Sequence, residues 1–108
     1  MLRLADYQDF LSLPETAWKI KQPADDDNSR AEAMEDGGLD LILMPGMAFT
    51  SEGDRLGRGK GYYDTYLRRA RQTNDSLQTV ALAFRQQLVD DIPTDSHDQP
   101  VDLVISPD

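Results

Sequence analysis

A nearly continuous apolar run stands at Leu39-Asp-Leu-Ile-Leu-Met44 and is ended by Pro45-Gly46. Such a run, bounded by residues that break regular structure, predicts a strand buried on both faces, as in a parallel sheet. Thr79-Val-Ala-Leu-Ala-Phe84 predicts a second buried strand in the same way. A third strand is expected over Val101 to Ile105. Together these runs indicate a sheet in the second half of the chain.

The segment between the first two strands predicts a helix from about Gly61 to Gln72. Its apolar residues recur at i, i+3, i+4 and i+7, namely Tyr63, Tyr66, Leu67 and Ala70. Strand, loop, helix and strand then form a right-handed crossover unit. The fold class expected is α/β, a mostly parallel open sheet with flanking helices in a Rossmann-like three-layer arrangement. Upstream, Asn28 or Ser29 could cap a short helix through Met34 that stops at Gly37-Gly38.

A glycine-rich loop, Arg55-Leu-Gly-Arg-Gly-Lys-Gly-Tyr-Tyr-Asp64, leads into the predicted helix. Five of the seven glycines lie between Gly46 and Gly61, and glycine lets a polyanion approach the backbone closely. No Ser, Thr, Asn or Asp stands immediately before Gly61 to cap the helix, so an external phosphate could take that role. Arg58 offers a fork of donors and Lys60 a mobile point charge. The loop therefore predicts a nucleotide-phosphate site.

The position of this loop supports the same function, because ligands of open parallel sheets bind beyond the carboxyl ends of strands. Asp64 on the first helical turn could hold Mg2+ beside the phosphates. Two alternatives stay open. Asp64 could simply complement the helix dipole, and the spacing Gly-x-Gly-x-Gly by itself could mark only a tight loop. Tyr63 and Tyr66 are interpreted as core residues, and Trp18 as either core or a flat stacking surface. His97 is given no role.

Composition and charge narrow the class of protein. The 108 residues form one domain or part of one, with 39% hydrophobic and 29% charged residues, which is typical of a globular protein. The longest aliphatic run, Leu41 to Met44, is far below the roughly 20 residues of a membrane span, so no membrane partner is expected. Without cysteine, disulfides and thiolate chemistry are excluded, and the cytoplasm is the expected compartment.

The basic residues are concentrated in one stretch of an acidic chain. Between Arg55 and Arg85 there are seven basic and two acidic residues, whereas the remainder has four basic and eighteen acidic ones, for a net charge of −9. An acidic protein repels nucleic acid at long range, so no nucleic-acid partner is expected. A small anion fits the local positive charge better.

These residues carry a resemblance. The run Leu39 to Phe49, then Gly53, then Arg55 to Asp64 and Tyr66-Leu67 resembles the 5-formyltetrahydrofolate cyclo-ligase family, also called methenyltetrahydrofolate synthetase. Similarity extends from about Trp18-Lys-Ile-Lys-Gln-Pro23 to Val101-Asp102 but covers only roughly the C-terminal half of the family. We therefore expect residues 1–108 to be the C-terminal portion of a single cyclo-ligase domain whose N-terminal portion is absent, as in a short isoform or fragment. Thr50 departs from the family pattern, which usually has Asp there.

The resemblance implies an ATP-dependent conversion of 5-formyltetrahydrofolate to 5,10-methenyltetrahydrofolate, with release of ADP and phosphate, in a cytoplasmic enzyme that we expect to be a monomer. It implies catalytic roles for Arg58 and Lys60, and Mg2+ held by Asp64 and Asp98. The implied ATP-binding residues are Arg55, Leu56, Gly57, Arg58, Gly59, Lys60, Gly61, Tyr62 and Tyr63. The implied folate-binding residues are Arg58, Gly59, Lys60, Gly61 and Tyr62, to which we add Trp18.

Three hypotheses follow for a chain of this length. It could be an active part of a complete cyclo-ligase, a non-catalytic nucleotide-binding or interaction fragment, or an inactive fragment that folds badly because neighbouring strands are missing.

Overall fold

A computed structural model describes residues 1–57, 61–94, 96 and 98–107. The chain divides into two compact units, Met1–Gly38 and Leu39–Asp108. The first unit contains one short helix, α1 (Tyr7–Leu11). The elements of the second unit are β1 (Leu41–Leu43), β2 (Ala48–Phe49), β3 (Arg55–Leu56), α2 (Tyr62–Thr73), β4 (Gln78–Leu82), a 3-10 turn (Arg85–Gln87) and β5 (Leu103–Ile105). None of the helices in the described ranges has the length and apolar character that a membrane span requires.

The main sheet confirms the predicted fold class, α/β with a mostly parallel open sheet. Its strand order is β1-β4-β5, and both pairings are parallel. Ile42 lies opposite Thr79, and Ala81 lies opposite Val104. The central strand β4 comes from the second apolar run, as expected, and the three predicted strands all form within their predicted ranges or within one residue of them.

Only one face of this sheet is buried, so the prediction of strands buried on both faces is wrong. Ile42, Thr79 and Ala81 are buried on one face and, like Leu67 and Ala70 of α2, belong to the core of this unit. On the opposite face, called the open face below, Val80 is half-buried. Five other apolar residues there are between 49% and 65% exposed: Leu41, Leu43, Leu82, Leu103 and Ile105. Parallel sheets are usually covered by other elements on both faces. The apolar residues of the open face are typical of such a covered sheet, but nothing in the described residues covers them.

Helix α2 confirms the periodicity prediction within one residue at each end. Its buried residues are Tyr66, Leu67 and Ala70. Gly61 is the N-cap residue, with φ of 65° in the left-handed region and no side-chain capping bond, as the sequence predicted. The first turn of α2 therefore retains amide donors that no capping side chain occupies.

A two-stranded antiparallel hairpin, which the sequence patterns did not predict, precedes α2. Ala48 of β2 pairs with Leu56 of β3. The connecting turn is held by Thr50, whose buried hydroxyl oxygen accepts the Asp54 N–H at 3.0 Å. An Asp carboxylate makes the same kind of turn bond, so Thr50 keeps this local geometry although it departs from the family pattern.

The first unit has no helix over residues 29–34, so that prediction is wrong. The segment forms turns, and Glu32 instead makes an isolated bridge with Leu2. The Ser29 hydroxyl donates to Asp27, and Arg30 binds Asp9 at 2.6 and 2.7 Å and Asp27 at 3.1 Å. Side-chain bonds to nearby groups thus replace the capping interaction that the pattern suggested.

The ion pairs of Arg30 predict acid sensitivity of the first unit. The hydrogen bond from the Arg30 side chain holds the pKa of Asp9 well below its usual value, and the Ser29 hydroxyl lowers that of Asp27. A lowered folded-state pKa stabilises the fold above the ordinary pKa of the carboxyl, about 4, and this contribution fades as pH falls further. We expect the difference in urea midpoint between the parent and Asp9→Asn, followed by the amide NMR signals of the first unit, to be largest near pH 6 and to narrow below pH 4. A difference that stays constant with pH would contradict this.

Candidate active site

A cavity of about 160 Å3 lies in the second unit, lined by Asp54, Arg55, Thr94, Asp98, Gln99 and Pro100. It joins the start of β3 to the acidic loop, the segment Asp90 to Gln99. Two of its residues, Arg55 and Asp98, were predicted from the family resemblance as ATP and magnesium contacts.

The hairpin turn contacts the chain just beyond the acidic loop, and this contact helps to form the cavity. Val101 N–H donates to the carbonyl oxygen of Gly53 at 2.7 Å. Gly53 has φ of 96°, and a Cβ there would collide with the carbonyl oxygen of Val101. Only glycine allows this close backbone approach. The contact places Asp54 and Arg55 beside Gln99 and Pro100.

Arg55 is the central cation of the cavity, and its side chain is only 7% exposed. Its Nη1 donates to the carbonyl oxygen of Pro45 at 3.0 Å, and its Nη2 lies 3.4 Å from Oδ2 of Asp64. The guanidinium carbon lies 5.7 Å from the centre of the Tyr63 ring, within the range of a cation–π contact. Its Nε is buried and has no hydrogen-bond partner among the described residues. A buried donor without an acceptor is costly, which favours an acceptor supplied by a ligand.

Asp64 links three elements of the site. Its Oδ2 contacts Arg55 on β3, and its Oδ1 accepts the backbone N–H of Gln99 at 3.0 Å. The residue itself lies on the first turn of α2. These contacts give Asp64 a positioning role beyond the helix-dipole interaction that the sequence allowed. Because Gln99 follows Asp98 in the chain, its bond to Asp64 also brings Asp98 to this part of the site.

The other predicted site residues have different outcomes. Arg58, Gly59 and Lys60, and also His97, lie outside the described residues. Leu56 and Tyr62 are exposed, and Gly57 packs beside Arg55, so that a Cβ on it would lie 3.0 Å from Nη1. Trp18 belongs to the first unit and is 85% exposed, which removes the core-packing alternative. Its role in folate binding stays a prediction.

The carboxylates suit a magnesium ion only if a nucleotide shares it. Within the described part of the chain there is no group of three or more His, Cys, Asp or Glu residues that could hold a metal. Mg2+ commonly takes one or two carboxylates together with phosphate oxygens and water. Asp64 and Asp98 fit that partial donor set. A complete protein cage is not available from the described residues.

Sequence patterns missed several residues of the site, including Gln99 and Arg71. Gln99 contributes its backbone N–H, which leaves no signature in the sequence. The sequence patterns predicted no role for Arg71, yet its Nη1 donates to Oε1 of Gln99 at 3.1 Å. The spacing of seven residues between Asp64 and Arg71, which places both on one helix face, could have indicated it.

Comparison with known proteins gives a consistent result. The pattern of the 5-formyltetrahydrofolate cyclo-ligase family matches residues 1–107. The chain is 50% identical to the 5-formyltetrahydrofolate cyclo-ligase of Mus musculus, over 100% of this chain and 53% of that protein. It is 33% identical to a mitochondrial 5-formyltetrahydrofolate cyclo-ligase of Arabidopsis thaliana, over 99% of this chain and 42% of that protein.

A solved structure is also similar. The 5,10-methenyltetrahydrofolate synthetase of Mycoplasma pneumoniae superposes with a TM-score of 0.54 and 36% identity, over 62% of this chain and 38% of that one. The chain spans about half the length of the first relatives above, or less. Its sequence and its fold agree on one assignment: the chain belongs to the 5-formyltetrahydrofolate cyclo-ligase family.

Proposed function

We propose that this chain supplies the nucleotide-binding part of an enzyme that converts 5-formyltetrahydrofolate to 5,10-methenyltetrahydrofolate with ATP. The observation that carries the proposal is the buried Arg55 guanidinium in the cavity wall, paired with Asp64 and still lacking an acceptor at Nε. A phosphate group bound in the cavity would pair with this guanidinium charge. The uncapped first turn of α2 offers further amide donors for the same anion.

The chemistry requires activation of the formyl oxygen, which is a poor leaving group. In the proposed reaction this oxygen attacks the terminal phosphorus of ATP and ADP leaves. N10 of the folate then attacks the formyl carbon and loses its proton to solvent, the carbon–oxygen bond breaks, and phosphate departs with that oxygen. The protein contributes positioning and charge stabilisation, without a covalent intermediate of its own.

Roles for the predicted residues follow from this reaction. Arg58 and Lys60 would stabilise the charge on the transferred phosphoryl group and border the folate, and Gly57, Gly59 and Gly61 would let the phosphates approach the backbone. Asp64 and Asp98 would hold Mg2+, which would neutralise charge on the nucleotide. Leu56, Tyr62 and Tyr63 would complete the nucleotide contacts. Trp18, with its exposed ring, would offer a stacking surface to the folate.

The proposed active form includes the part of the relatives that this chain does not match. The open face supports this proposal, because an apolar surface of this kind is normally covered. We propose a monomeric, cytoplasmic enzyme in one-carbon folate metabolism, with ATP and 5-formyltetrahydrofolate as its partners.

A reconstitution experiment tests the proposed function. The purified chain is mixed with Mg-ATP and 5-formyltetrahydrofolate, with and without the remaining part of the Mus musculus relative. We expect methenyl product, followed by its ultraviolet absorbance, only when the companion part and ATP are both present. The matched control replaces this chain with the corresponding half of the mouse relative. Product from the control but none from this chain would contradict the proposal.

A second candidate is a nucleotide-binding fragment without catalysis. It is favoured by the length of the chain, which covers only 53% of the mouse relative. The same experiment separates the two, because this candidate predicts Mg-ATP binding by calorimetry with no product under any condition.

A further inference from the structure

Gln99 is held against one face of α2 by two residues. Its backbone N–H donates to Oδ1 of Asp64 at 3.0 Å, and its side-chain Oε1 accepts from Nη1 of Arg71 at 3.1 Å. Asp64 and Arg71 are seven residues apart, almost two helical turns or about 10 Å along the axis. The end of the acidic loop is thus fastened at two points along the helix.

Arg71 is in turn connected to the central strand. Its Nη2 lies 3.5 Å from Oδ2 of Asp102. That same oxygen accepts the backbone N–H of Thr79 at 2.7 Å and its hydroxyl at 3.1 Å, and Thr79 is fully buried on β4. Arg71 therefore connects the loop, through Asp102, to the central strand β4.

We propose that Arg71 and Gln99 are positioning residues that place the end of the acidic loop, Asp98 and Gln99, beside Asp64 at the cavity. The proposal rests on the proposed function for its ligand, magnesium with a nucleotide. Neither Arg71 nor the Gln99 side chain needs to touch the ligand. Outer residues that orient the ligands of a metal commonly change its affinity by 10- to 100-fold when they are removed.

The variants Arg71→Ala and Gln99→Leu test this proposal in the 108-residue chain. Gln99→Leu removes the side-chain acceptor and leaves the backbone N–H in place. We expect each variant to weaken binding of Mn2+ with ADP, measured by electron paramagnetic resonance of free Mn2+, by about tenfold. The double variant is expected to be little worse than either single one, since both remove the same contact.

Arg69→Ala is the matched control, because it removes the same charge from an exposed position on the same helix. Its effect on binding is expected to stay within about twofold, the size of a screened charge effect. Binding losses as large in Arg69→Ala as in Arg71→Ala would overturn the proposal in favour of a general charge effect.

Hydrogen exchange at the Gln99 amide gives a readout that does not depend on the ligand. We expect faster exchange of this amide in Arg71→Ala and Gln99→Leu than in the parent, with the protection of β4 amides unchanged. Unchanged exchange at Gln99 would overturn the positioning role. If the parent binds no Mn2+ with ADP, the proposed function fails for this chain, and the exchange rates alone decide whether Arg71 holds the loop.

Discussion

Gly53→Val is expected to lower the free energy of unfolding of the second unit by about 3 kcal/mol or more. Two costs combine: a β-branched residue at φ of 96° is strained by roughly 1 to 3 kcal/mol, and its Cβ collides with the Val101 carbonyl oxygen. Overpacking of this kind costs roughly a further 1 to 3 kcal/mol. Urea unfolding followed by circular dichroism at 222 nm measures the change, since α2 is the longest helix of the described residues.

Gly61→Ala provides the matched comparison. Gly61 also has a positive φ, of 65°, but a Cβ there meets nothing within 4 Å. We expect a loss of only about 1 kcal/mol, the cost of the left-handed conformation. If both variants lost the same free energy of unfolding, the expected collision with the Val101 carbonyl oxygen in Gly53→Val would be contradicted.

Lys60→Ala is expected to lower turnover in the reconstituted reaction by on the order of 10²-fold or more, as loss of a charge contact made in the transition state typically does. Lys60 lies outside the described residues, so this expectation comes from the glycine-loop motif and the family resemblance. The effect should fall on kcat, because the negative charge to be stabilised develops during phosphoryl transfer.

The control for Lys60→Ala is again Arg69→Ala, which makes an equal change in net charge at an exposed site. Steady-state kinetics of both variants are measured with the companion part present. A loss of turnover in Lys60→Ala alone indicates a local contact, whereas equal losses indicate a general effect of net charge. Unchanged turnover in Lys60→Ala would refute the catalytic role and would favour the nucleotide-binding fragment.

The parts of the fold that were predicted correctly have local signals. The apolar runs at Leu41 and at Val80 mark strands, and the recurrence of Tyr66, Leu67 and Ala70 marks α2, because each pattern lies within one element. The hairpin of β2 and β3 was missed because strands of two residues are too short to show alternation. The burial of both sheet faces was wrong because an apolar run looks the same whether or not a partner covers it.

The candidate site divides in the same way. Asp64 was predicted from the glycine motif and its helix start, and Arg55 from the family resemblance that the same short stretch carries. Gln99, Thr94 and Pro100 were not found, because they reach the cavity through contacts between residues far apart in sequence, such as Gly53 with Val101 and Asp64 with Gln99. A contact between backbone atoms of residues far apart in sequence does not change the composition of the chain or the periodicity of its apolar residues, so neither can predict it. The predicted helix near Ser29 failed for a related reason, since Arg30 is held by the distant Asp9.

The open face also has a practical consequence for work with the purified chain. Five leucine and isoleucine residues are exposed on it, while the chain carries a net charge of −9 that keeps molecules apart at low ionic strength. Added salt screens that repulsion, and sulfate in particular strengthens apolar association. Ammonium sulfate should therefore precipitate this chain at unusually low concentration, and dilute chloride buffers are the better choice for storage and crystallisation.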